Sequence, residues 1–97
     1  MKIEILPSAV DDLHRGWQFY ERQQQGLGDY FQDSLFSDIE SLHLFPGVHR
    51  EVFGYHRLLS KRFPFSIYYE YDGADCVLIY RVLDMRRDPN SIAEDFK

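Results

Sequence analysis

The sequence predicts an α+β fold: a helical hairpin packed on one face of an antiparallel sheet, in the order β-α-α-β-β-β with a short C-terminal helix. Three observations carry this expectation. Apolar residues recur at helical spacing between Ser8 and His43, with a break at Gly26-Leu27-Gly28. From Arg50 onward the period changes to two. Asp72-Gly73 then stands between two apolar runs, as a hairpin turn does. At 97 residues the chain is near the size at which one core becomes self-sufficient, so residues 1–97 are read as a single domain.

Each element has its own signal. Lys2–Leu6 alternates as a short half-buried strand, and Pro7 stops it. Ser8 with Asp11 three residues on resembles a capping box that opens the first helix. Val10, Leu13, Trp17 and Tyr20 then fall on one helical face. Asp29 is the expected cap of a second helix to about His43, with Phe31, Leu35, Ile39 and Leu42 in register. Phe45-Pro46-Gly47 ends it. A loop of about three residues between the helices makes them antiparallel neighbours. A strand over about 51–63, bent at Gly54, precedes strands at Phe65–Tyr71 and Cys76–Leu83. The last of these is apolar on both alternating sets apart from Arg81, which marks a central strand covered on both faces. Residues 89–96 read as a short helix with Pro89 in its first turn. Two helices cover one face of a four-stranded antiparallel sheet, so the other face is expected to be covered by a partner polypeptide.

Composition narrows the function. The chain holds eight Phe, seven Tyr and one Trp, so large rings do much of the burying. No apolar run approaches the roughly 18 to 20 residues of a membrane span, and the N-terminus is too short and charged for a signal peptide. With a single Cys76 no intrachain disulfide forms, and a cytoplasmic location is expected. The net charge of −5 is uneven: residues 1–49 hold three basic against eight acidic side chains, whereas residues 50–87 hold seven against five. An acidic protein is a poor general binder of nucleic acid, yet the C-terminal half can present a basic patch.

The usual catalytic constellations are missing from the sequence. His14, His43, His49 and His56 have no metal-ligand spacing, and no metal or cofactor is expected. Gly26-x-Gly28 lacks the strand before it and the lysine after it that a phosphate loop requires. Cys76 lies mid-strand in apolar company, where a thiol is inert. The remaining chemistry belongs to cations and aromatics. Metal-free RNA cleavage would need a base, an acid and cations for the phosphorane, and His56, Arg57, Arg86 and Arg87 are the candidates for those roles. The alternative is that Arg57, Lys61, Arg62, Arg81, Arg86 and Arg87 serve as strand surface, anchors or partner contacts. Tyr69 and Tyr71 read as core, while Tyr68 faces the other way and suits either stacking or partner packing.

Motifs along nearly the whole chain resemble a known family. They are Ala9-Val10-Asp11-Asp12-Leu13, Tyr20-Glu21, Gly26-Leu27-Gly28-Asp29-Tyr30-Phe31, Phe45-Pro46, the run from Arg62 to Tyr69, and Arg86-Arg87-Asp88-Pro89. Their order and spacing are similar to those of RelE/ParE superfamily toxins of bacterial type II toxin–antitoxin systems. The resemblance implies a βααβββ toxin neutralised by a small antitoxin from the same operon, whose C-terminal segment wraps it.

In RelE-like members the resemblance implies a ribosome-dependent mRNA endonuclease using basic residues on the sheet and near the C-terminus, where Arg57 and Arg86 or Arg87 fall. Ser66 stands where those ribonucleases carry an arginine, and Ile92 near the position of a later tyrosine. ParE-like members block DNA gyrase without a catalytic constellation, and the Arg62–Tyr69 run places this chain nearer to them. The expected function is therefore a non-enzymatic toxin that binds and inhibits gyrase. A metal-independent endoribonuclease is the alternative, and a member that retains only antitoxin binding the third reading.

Overall fold

A computed structural model describes residues 1–97. Strand β1 (Lys2–Ile5) leads into helices α1 (Pro7–Gln23) and α2 (Leu27–Glu40), the latter prolonged by a 3-10 turn at Ser41–His43. Strands β2 (Glu51–Val52), β3 (Tyr55–Leu59), β4 (Phe65–Tyr71) and β5 (Cys76–Asp84) follow, and α3 (Pro89–Glu94) closes the chain. The α+β order is the one the sequence predicts. The sheet differs in two respects: it has five strands, ordered β1-β5-β4-β3-β2, and β1 runs parallel to β5 while the other pairs are antiparallel. β5 lies between β1 and β4, as its two apolar faces require.

The fifth strand arises where a single bent strand was expected. Val52 pairs with Tyr55 across a two-residue loop, Phe53-Gly54, and both loop residues have positive φ (57° and 84°). That is the backbone of a tight hairpin turn, which glycine adopts freely and phenylalanine rarely does. The Phe53 ring stacks on Phe96 with centroids 4.9 Å apart, a contact that favours this conformation. β3 ends at Leu59, so Lys61 and Arg62 lie in the following loop rather than on a strand.

The helix starts also differ from expectation. Pro7 occupies the first turn of α1 and no side chain caps it. Ser8 instead donates from Oγ to the carbonyl oxygen of Tyr80 at 2.7 Å, tying α1 to β5. α2 begins at Leu27, and the carboxylate of Glu21 accepts from the backbone N–H groups of Gly26 and Gly28. Asp29 accepts from the indole Nε1 of Trp17 instead of capping. Val10 lies off the buried face of α1, half exposed to solvent. Close approach of α1 to α2 rests on Gly16, where a Cβ would meet the ring of Phe31 at 2.5 Å.

The helix side of the sheet holds the main core: Leu13 and Tyr20 from α1, Phe31, Leu35 and Ile39 from α2, and Ile67, Tyr69, Val77, Ile79 and Val82 from the sheet. A bulge between Tyr68 and Tyr69 shifts the register against β5, so Tyr68 opposes Arg81 and Tyr69 opposes Ile79. Beyond it Val82 reaches the helix side and Leu83 the other. On that other side the chain supplies its own cover. Ile92 of α3 packs on Tyr68 and Leu83, with Val52, Tyr55 and Phe96 around them. The tail thus covers part of the face where a partner alone was expected, because Pro89 and the Asp88 cap on the Asn90 N–H turn the chain back across the sheet. No helix is long and apolar enough to cross a membrane.

Candidate protein-interaction surface

Alternation along β3 separates neighbouring candidates onto opposite faces. Arg57 pairs with Tyr68 on the tail side, and His56 pairs with Tyr69 on the helix side. There the His56 ring stacks on Tyr69 at 5.1 Å and donates from Nδ1 to the carbonyl oxygen of His49 at 2.7 Å. The Tyr69 hydroxyl sits 2.5 Å from Nδ1 of His49 and accepts from the Gly47 N–H at 3.0 Å. Burial, aided by the nearby His56, holds His49 below the usual imidazole pKa and so favours the neutral ring. Burial also pushes the Tyr69 phenol up. This histidine–tyrosine cluster locks the loop after α2 to the sheet.

Arg86 and Arg87 diverge in the same way. Arg86 forms a two-pronged pair with Asp84, through Nε at 3.0 Å and a terminal nitrogen at 2.7 Å, and reaches the Tyr20 hydroxyl at 3.3 Å. Its guanidinium also lies 6.0 Å from the Phe19 ring centroid. The guanidinium keeps the Asp84 carboxyl below the usual carboxylate range. Arg87 turns to the tail, bonding Asp95 at 2.9 Å and Ser91 through both its carbonyl and its hydroxyl.

Arg81 is committed inside the protein. Its side chain is 16% exposed and grips the carboxylate of Asp12 with two bonds of 2.8 Å. Asp12 also accepts from the backbone N–H of Val82 at 2.9 Å. Asp95 lies 3.7 Å from Arg81 and shares its charge with Arg87. One ionic chain, Asp12–Arg81–Asp95–Arg87, therefore links α1, β5 and the tail. No sequence pattern points to it, since Asp12 and Arg81 are 69 residues apart.

What remains open is a groove of about 210 Å³ between the β2–β3 hairpin and α3. Its floor is Tyr68, its apolar walls are Val52, Met85 and Ile92, and Arg57 and Arg87 both reach it. Arg57 is half-buried and takes part in no ion pair of the chain. Tyr68 is 1% exposed, so it offers only the floor and directs its hydroxyl to the Met85 sulfur at 3.8 Å. Beside the groove Phe53 is 46% exposed and stacks on Phe96, which in turn meets Tyr55 and Tyr80, themselves stacked at 4.5 Å. Those aromatics carry much of the surface and stand out in the sequence only as strand alternation around Arg57. Lys61 and Arg62 are exposed beyond the end of β3. Ser66 contributes nothing outside: it is fully buried between Leu59 and Leu83, its hydroxyl without a partner.

Such an arrangement suits recognition more than acid–base chemistry. A half-desolvated guanidinium without a partner, set in an apolar groove, is ready for a carboxylate of another chain. His56 and Arg57, by contrast, face opposite sides of the sheet, and Arg86 and Arg87 do the same. No cluster of side chains has the makeup to hold a metal ion.

The geometry has counterparts among known proteins. Residues 3–89 match the family model described as the ParE toxin of the type II toxin–antitoxin system parDE. Among curated proteins nothing matches. A solved structure titled as a chromosomal ParDE TA system from P. aeruginosa superposes with a TM-score of 0.73 at 21% identity, covering 84% of this chain and 92% of that one. At that identity the likeness concerns the fold.

Proposed function

The chain belongs to the ParE toxin family of type II toxin–antitoxin systems, and on that premise we propose that it is a non-catalytic toxin that binds and inhibits DNA gyrase in the cytoplasm. A small antitoxin encoded beside it neutralises it by covering the tail face. The observation that carries this reading is the division of the cations. Arg57 and Arg87 line an apolar groove on one face, whereas His56 and Arg86 are engaged on the other. A protein ligand bearing apolar and acidic side chains fits that groove. Arg57 offers it the unpaired charge, and the exposed Lys61 and Arg62 in the loop after β3 add positive charge that steers an acidic ligand.

The supercoiling activity of purified gyrase tests the target. Added chain should stop supercoiling in proportion to its amount, and full activity at excess chain would overturn the gyrase reading. Cutting of mRNA in a translating extract, slowed by Arg57→Ala or Arg86→Ala, would establish the endonuclease instead. The antitoxin is tested by binding of the adjacent gene product. Arg57→Ala should weaken it about tenfold or more, as loss of one charge-assisted contact at an interface does, while leaving the melting temperature unchanged. A lone gene without a small neighbour would count against neutralisation.

A further inference from the structure

We propose that the open edge of β1 is a self-association surface, joining two copies of this chain through an antiparallel β1–β1 pair centred on Ile3. The sheet ends at β1 on this side, and no strand of the chain lies outside it. Lys2 and Leu6 donate their N–H groups inward to Asp75 and Ile79 of the β5 side. Because a strand alternates, the N–H groups of Ile3 and Ile5 point outward at the open edge.

Side-chain chemistry picks the occupant and the register. Lys2 and Glu4 are exposed on the tail side, two residues apart, while Ile3 and Ile5 lean against the helix-side core. A two-fold pair centred on Ile3 sets each Lys2 opposite the other copy's Glu4, giving two cross-strand ion pairs. It also sets Ile3 against Ile3, each exchanging both backbone bonds with the other. Centring one residue later would place Glu4 against Glu4, and centring on Ile5 would leave all the charges unmatched. The pattern is therefore self-complementary in one register and repulsive in the next.

Since the two-fold axis runs through the sheet, both helical layers fall on the same side of the joined sheet. There, beside Ile5, the surface is apolar: Val10 is 52% and Phe36 36% exposed, around a groove of about 200 Å³ that Leu13 and Gln32 also line. A second copy brings the same rim to the axis, and the two bury each other's.

The test uses sedimentation of the purified chain across a concentration series. Wild-type chain should move from 11.6 kDa toward twice that mass. Lys2→Glu and Glu4→Lys should each weaken association roughly tenfold or more, since like charges then face one another. Mixed in equal amounts, the two variants should associate again, because every opposed pair is then of opposite sign. The double exchange, with both substitutions in one chain, should also restore the dimer. Both sites are exposed, and unchanged circular dichroism will show that the variants fold. The proposal falls if the wild-type chain stays monomeric throughout, if either single variant associates as well as wild type, or if the mixture fails to recover.

Discussion

The two faces of the sheet are closed by unequal means. The helix side lies under α1 and α2, of 17 and 14 residues, and buries a mainly aliphatic and aromatic core beside the carboxylates of Asp12 and Asp38. The tail side lies under the 6 residues of α3 and Phe96 just after it, held by ring stacking and by the chain Asp12–Arg81–Asp95–Arg87. A face closed by a long amphipathic pair gains its stability from area. A face closed by six residues has little area and depends on charge and aromatic geometry. The difference shows which face holds the fold and which is free to serve a partner.

Substitutions should rank accordingly. Phe31 is fully buried, with its ring under Gly16 and edge-on to Phe65 at 4.9 Å. Phe31→Ala should cost about 3–5 kcal/mol in urea unfolding, the range for a core aromatic whose cavity cannot collapse. Asp12→Ala tests the joint between the faces: it strands Arg81 in a site only 16% exposed and orphans the Val82 N–H. The expected loss is about 3 kcal/mol, because removing the closer partner of a buried pair leaves Arg81 only the longer 3.7 Å contact with Asp95. A cost near zero would mean that Arg81 escapes to solvent and the two faces are independent.

Phe96→Ala should cost less, about 1–2 kcal/mol, since it removes stacking on Phe53 and an edge contact to Tyr68 without opening the main core. Amide hydrogen exchange should show where the loss falls. Protection should drop in α3 and persist in β4 and β5. Equal loss across all elements would show that the tail is as integral as the helices.

The sequence exposes these two faces unequally as well. Helical spacing and strand alternation reveal the helix side almost residue by residue, because Phe31, Leu35, Ile39, Ile67 and Tyr69 follow simple periods. Val10 fails only because the buried stripe runs through Ala9, Leu13, Gly16 and Tyr20 instead. The parallel pairing of β1 was hidden, since alternation carries no strand direction. So was the β2–β3 turn, because Phe53 at positive φ is held by a ring 43 positions away. Among the candidate cations, adjacency in sequence was the misleading signal. His56 with Arg57, and Arg86 with Arg87, look like clusters as text, yet strand alternation and the turn after β5 send each pair to opposite faces. The ionic chain was illegible because its members come from distant segments, and single charges have no periodicity.

Acid provides the gentlest test of the contrast, since the helix side carries a histidine whose pKa is lowered. His49 is held near neutral by burial and by His56, with its Nδ1 on the Tyr69 hydroxyl. Its folded pKa is lowered, so the unfolded chain takes up the proton first. Stability from this group is therefore complete above the unfolded value of about 6.5 and declines as pH falls below it. His49→Gln should flatten the slope of melting temperature against pH just below that value, while leaving the melting temperature at pH 8 little changed. The slope should be felt by probes in β4, where Tyr69 sits, before α3 responds. Loss of α3 protection first, with the same slope in His49→Gln, would place the acid-sensitive contact on the tail face and reverse the assignment.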